Sequence, residues 1–118
     1  MIVKKPTIVI YSCHADAAIL KEVCAGIEEE GVLYEVNCTS DGTVSSLSAL
    51  ASDASVLGVG IGIVGEQLSL HIKGMNVHSG ENEKTALLSY VAPDADTARS
   101  LGSNSARVIK KLPLRLPE

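Results

Sequence analysis

Apolar and polar positions alternate along the chain in two different periods. Thr7–Tyr11 (TIVIY) is short, β-branched and apolar, the pattern of a strand covered on both faces. From about Ala15 to Glu30 the period lengthens. Ile19, Val23 and Ile27 recur every four residues, with Leu20 and Cys24 beside them, and Gly31 is a natural stop. Val32–Val36 reads as a second strand. A weaker helix follows from about Thr43 to Ala54, with Val44, Leu47, Leu50 and Ala51 on one face. Val56–Ile63 is apolar enough for a central third strand. Leu68, Leu70 and Ile72 then alternate with Gln67, Ser69 and His71, as in a strand half-covered or near an edge. The short gap holding Gly65 makes these two strands an antiparallel hairpin.

A polar loop, Lys73–Lys84, leads to a fifth strand near Ala86–Val91. Pro93 and Asp94 announce a last helix, Asp94 to about Lys111, that ends before Pro113. The order βαβαβββα predicts an α/β fold of three layers, α/β/α. Its five-stranded mixed sheet is mostly parallel, with one antiparallel strand. With 118 residues, 46% hydrophobic and 20% charged, the chain is expected to be a single domain over 1–118. Trp and Phe are absent, so the core must be aliphatic.

Charge and chemistry narrow the function classes. Fourteen acids against ten bases give a net charge of −4, the wrong balance for nucleic acid. No apolar run is long enough to span a membrane, and no signal-peptide pattern is present. Cys13, Cys24 and Cys38 are odd in number and widely spaced, which points to a reducing, cytoplasmic setting. Gly60, Gly62 and Gly65 match the spacing of a dinucleotide-binding turn, but the residues after them alternate like a strand where a helix is required. The simpler reading is that Gly58, Gly60 and Gly62 line one strand face that a helix approaches closely. No P-loop occurs. His14 lacks the Asp and Gly of a cobalamin-ligating loop, and His71 and His78 have no zinc spacing. Nothing marks an independent catalytic site.

Two features ask for more. Glu28-Glu29-Glu30 sits in the last turn of the first helix, where each negative charge opposes the helix dipole by about 0.3–1 kcal/mol. Helical geometry puts Glu30 beside the core stripe and turns Glu29 almost directly away from it. Glu29 there is either a solvated carboxylate or a contact for a metal ion or a basic partner. In the last helix Arg99, Arg107, Lys110 and Lys111 share about a third of the circumference. Five of the ten Lys and Arg lie between Arg99 and Arg115, with no acid among them. This stripe is a solvated, dipole-complementing face, a docking face for an acidic partner or, third in order, a contact for nucleic acid.

At these two places the chain resembles a known family. Leu20–Gly31 (LKEVCAGIEEEG), Gly102–Lys110 (GSNSARVIK), the Gly58–Ile63 strand (GVGIGI) and the Pro-containing tail are similar to the small (β) subunit of diol and glycerol dehydratase reactivating factors. The resemblance runs from the first strand to about Pro113. It implies the same three-layer fold, shared with the medium subunit of B12-dependent dehydratases, and no catalysis by this chain. The implied partner is a large subunit with an actin-like ATPase domain, in a complex of two large and two small subunits, with a dehydratase as client. Subunit exchange would let the client release damaged cobalamin.

By motif alignment Glu29 would help coordinate Mg2+ at the interface with the large subunit. Arg99, Arg107 and Lys110 join it as candidate partner contacts, and Asn104 and Arg107 would support the fold or that interface. The chain alone would bind neither nucleotide nor cobalamin. The setting would be cytoplasmic, a bacterial microcompartment included. The alternative is a shortened dehydratase medium subunit, which His14–Leu20 and the GVGIGI strand resemble equally well. The medium subunit carries additional sequence at both ends, so the length favours the reactivating factor.

Overall fold

A computed structural model of the chain describes residues 6–73 and 88–110. The elements follow in the expected order: β1 (Ile8–Cys13), α1 (Ala17–Glu29), β2 (Tyr34–Cys38), α2 (Val44–Ala54), β3 (Val59–Val64), β4 (Gln67–Ile72), β5 (Leu88–Val91) and α3 (Ala95–Lys110). The sheet order is β2-β1-β3-β4-β5. The β1 strand pairs in parallel with β2 and β3, while β4 runs antiparallel to both β3 and β5. The mixed α/β sheet with one reversed strand is therefore as the sequence predicts. His78, Lys111, Pro113 and the loop beyond Lys73 lie outside the described residues.

Local chemistry moves several boundaries. Asp16 caps α1, its side chain accepting from the amides of Ala18 and Ile19 at 2.9 and 3.1 Å, so the helix starts at Ala17. Gly31, at φ 75°, stops it in the conformation that suits glycine. Thr43 and Ser46 form a reciprocal capping box at the head of α2. The apolar run Val56–Leu57 belongs to a turn before β3. There the Ser55 hydroxyl donates to the Thr7 carbonyl at 2.6 Å, and Gly58 adopts φ 78°. Gly58 thus serves a turn and lies outside the strand.

Strand register sorts the side chains into two unlike layers. Ile61, Ile63, Leu68 and Leu70 are buried in one cluster with Ile19, Val23 and Ile27 of α1 and Ala98 and Leu101 of α3. Each of the large members contributes about 1.5–3 kcal/mol when fully buried. On the other face Gly60 and Gly62 meet the backbone of α2, where a Cβ on Gly62 would stand 2.6 Å from the Val44 carbonyl oxygen. That close approach selects Leu47, Ser48, Ala51 and Ser52 as the buried side of α2, leaving Leu50 exposed. The serines are satisfied: Ser52 donates to the Gly58 carbonyl at 2.7 Å, and the Ser48 and Ser69 hydroxyls pair at 3.2 Å. The alternation in β4 accordingly marks a strand next to the edge but not a half-covered one, because Ser69 and His71 are buried.

The two helices of the aliphatic layer touch backbone to backbone. A Cβ on Gly102 of α3 would land on the Val23 carbonyl oxygen of α1, and one on Gly26 would land on the Arg99 carbonyl oxygen and 2.8 Å from the Ser103 amide. Neither obstacle is the end of a flexible side chain. Gly102→Ala is therefore expected to cost at least about 1–3 kcal/mol, seen as a lower denaturant midpoint with an unchanged slope. A variant as stable as the parent would show that the helices do not pack this closely.

Candidate functional site

The contacts across that glycine seam run in order, Glu22 with Arg99 and Glu30 with Arg107 and Lys110, so α1 and α3 lie side by side in the same direction. Charged stripes flank the seam on both helices. The acidic run at the end of α1 and the basic stripe of α3 are thus largely each other's partners. Arg99 lies across two carboxylates: its Nε and Nη2 each stand 2.9 Å from Glu22 Oε1, and its Nη1 stands 3.3 Å from Glu29 Oε2. The outer pair is half exposed, at 43% for each side chain, and such pairs contribute about 0–1 kcal/mol.

Each glutamate of the run has a different task. Glu28 accepts from the Tyr34 hydroxyl at 2.6 Å, which raises the phenol's pKa. Glu29 faces outward beside Arg99. Glu30 turns inward with its side chain only 10% exposed. Its Oε2 accepts from Ser103 Oγ at 2.7 Å and from Arg107 Nε at 3.0 Å, while Lys110 Nζ lies 3.6 Å from Oε1. Lys110 also donates to the Glu30 main-chain carbonyl at 2.7 Å, satisfying one of the acceptors that a helix end leaves unpaired. The dipole conflict apparent in the sequence is offset by cations from the neighbouring helix. The Ser103 hydrogen bond, followed by the Arg107 and Lys110 charges, holds the Glu30 carboxyl below the usual range.

The four residues singled out by the sequence therefore come together at one place, the carboxyl end of α1 against α3. Glu29 and Arg99 form its outer pair, and Arg107 and Lys110 are held beneath by Glu30. Asn104, on the same helix, is buried. The sequence reading missed Glu22 and Ser103. Glu22 precedes Glu29 by two helical turns on the same face, and Ser103 stands midway between Arg99 and Arg107. Both would have been legible had the two helices been known to pack in parallel.

Among the described residues, no group of three His, Cys, Asp or Glu side chains is placed to hold a metal alone. Glu29 presents a half-exposed carboxylate, a hard-oxygen group that Arg99 already contacts. That suits Mg2+, which commonly takes one or two carboxylates and fills its octahedron with water and other ligands. A Mg2+ held there would need its remaining donors from elsewhere. At the opposite end of the helices a groove of about 290 Å³ lies between their N-termini, its charged lining residues being Asp16, Glu22, Glu66 and Asp94. Carboxylates without a lining base disfavour a phosphate there, and Asp16 and Asp94 already occupy helix-end amides.

The family model described as "Dehydratase medium subunit" matches residues 5–115. A propanediol dehydratase-reactivating factor small subunit of Citrobacter freundii is 33% identical over 93% of this chain and 90% of its own length. A diol dehydratase-reactivating factor small subunit of Klebsiella michiganensis is 29% identical over 93% and 84%. Among solved structures, a diol dehydratase-reactivating factor complexed with ADP and Mg2+ superposes with a TM-score of 0.84 at 28% identity, covering 96% of this chain and 100% of that one. A glycerol dehydratase reactivase gives 0.78 at 27% identity, covering 95% and 98%.

The lowered pKa of Glu30 fixes the sign of a pH effect. A carboxyl whose folded-state pKa is depressed adds stability above its unfolded pKa and loses it as pH falls through the folded value. Glu30→Gln is thus expected to lower the melting temperature at neutral pH. The gap to the parent should close as acid protonates Glu30, below the ordinary glutamate range. Parallel melting curves against pH would refute the clamp.

Proposed function

This chain belongs to the dehydratase medium-subunit family, and on that footing we propose that it serves as the non-catalytic small subunit of a diol or glycerol dehydratase reactivating factor. Its partner in this reading is the ATP-hydrolysing large subunit, two of each forming the complex. The client is a B12-dependent dehydratase carrying a damaged cobalamin. The small subunit gives up its place on the large subunit to the similarly folded medium subunit of the client, and the loosened dehydratase loses the spent cofactor. The work is done in the cytoplasm, microcompartment included, and this chain holds neither nucleotide nor cobalamin by itself.

Near-complete mutual coverage with reactivating-factor chains favours this reading over a dehydratase subunit, although the family takes its description from the latter. The single observation that carries it at residue level is the outward Glu29–Arg99 pair on an end of α1 that α3 holds firmly. A carboxylate and a guanidinium side by side offer a partner both a metal-bridging oxygen and a hydrogen-bond donor. Glu29 would give one oxygen to a Mg2+ shared with the large subunit, whose charge offsets the acidic helix end. Arg99 would steady that carboxylate and neighbouring acids of the partner, and Arg107 and Lys110 would support the surface from below.

Glu29→Ala is expected to weaken association with the large subunit about tenfold, or about 1.4 kcal/mol, in Mg2+ buffer. With chelator present, parent and variant should bind alike. Titration calorimetry of the purified subunits measures both. Equal affinity of the two proteins with and without chelator would remove Glu29 from the interface.

A further inference from the structure

Glu29 occupies the last residue of α1, directly before the C-cap, where the turn closes on the Glu30 and Gly31 amides donating to the Ile27 and Glu28 carbonyls at 3.1 and 3.0 Å and where helices fray. Gly31 follows at φ 75°, so the chain turns away at once. The contact from Arg99 at 3.3 Å is half exposed, and Arg99 is held more closely by Glu22. That contact by itself is a weak tether. Glu30, by contrast, is fastened to α3 at both its side chain and its main chain, through Ser103, Arg107 and Lys110.

We propose that Glu30 is a positioning residue for Glu29: by clamping the last turn of α1 onto α3, it fixes the direction in which the outward carboxylate is presented to a shared Mg2+. This rests on the reading of Glu29 as a ligand of that metal. The clamp acts through one peptide unit. With the Glu30 backbone and carboxylate held by three α3 side chains, the Cα–Cβ direction of Glu29 cannot swing with end fraying. Ordering this turn beforehand spares the entropy that metal binding would otherwise cost. Arg107 and Lys110 then belong to the clamp first, and reach a partner only as far as the clamp leaves them exposed.

The test uses the full chain and its large subunit, with association followed during a MgCl2 titration. Glu30→Ala is expected to raise the Mg2+ concentration for half-maximal association about tenfold. Ser103→Ala, which removes the shortest bond to the Glu30 carboxylate and is the milder change, should raise it severalfold. Glu30→Gln, keeping an oxygen acceptor for Ser103, should fall between Glu30→Ala and the parent. All three should reach the parental plateau at high Mg2+. A purely structural loss would lower the competent fraction at every Mg2+ concentration without moving the midpoint. Midpoints within twofold of the parent for Glu30→Ala and Ser103→Ala, while Glu29→Ala abolishes the Mg2+ dependence, would overturn the positioning role alone. Undiminished Mg2+ dependence in Glu29→Ala would overturn the metal reading and the positioning role with it.

Discussion

Two helices touching at Gly26 and Gly102 set the terms for the rest of the aliphatic layer. With backbones this close, the side chains flanking the seam come within reach of each other. Glu22, Glu29 and Glu30 on one helix then face Arg99, Ser103, Arg107 and Lys110 on the other. An uncompensated acidic run at a helix C-terminus would be a liability, and a basic stripe on a solvent face would be unremarkable. Brought together across the seam, they become a graded network. Its inner member, Glu30, is nearly enclosed, and its outer member, Glu29, remains at the surface. The proposed metal and partner contact rests on that gradient, an exposed carboxylate beside an enclosed and clamped one.

The two faces of the sheet divide the labour. The α1–α3 side is aliphatic and packed with branched side chains beneath the surface seam. On the α2 side glycines and serines replace bulk, and hydroxyl hydrogen bonds satisfy the groups that close approach buries. Apolar side chains are exposed at both edges of the sheet, Val36 and the preceding Leu33 at β2 and Val91 at β5. The groove at the helix N-termini is lined by carboxylates whose partners include the helix ends themselves. The architecture suits a protein that presents a surface, which is what the family reading requires of a small subunit.

Much of this was legible in the sequence, for physical reasons that can be named. The period of Ile19, Val23 and Ile27 placed α1, and the alternation through β4 placed the hairpin. Gly60 and Gly62 were correctly read as points of close helix approach. Other features were hidden because they depend on long-range packing. Leu50 looked like a core residue of α2, yet glycines opposite select the serine side instead. Val56 and Leu57 looked like strand, but Ser55 and the positive φ of Gly58 make them a turn. At the candidate site, helical geometry alone turned Glu29 outward and set Glu30 beside the core. It could not show that Glu30 would gather the basic stripe, since that requires α1 and α3 to be neighbours running in parallel.

Hydrogen–deuterium exchange of the chain, free and bound to its large subunit in Mg2+ buffer, tests most directly whether the end of this seam is the docking surface. The account predicts that amides of residues 27–31 gain protection on complex formation, while those of α2 exchange as in the free chain. Protection confined to α2 or to the β2 edge, with residues 27–31 unchanged, would contradict it.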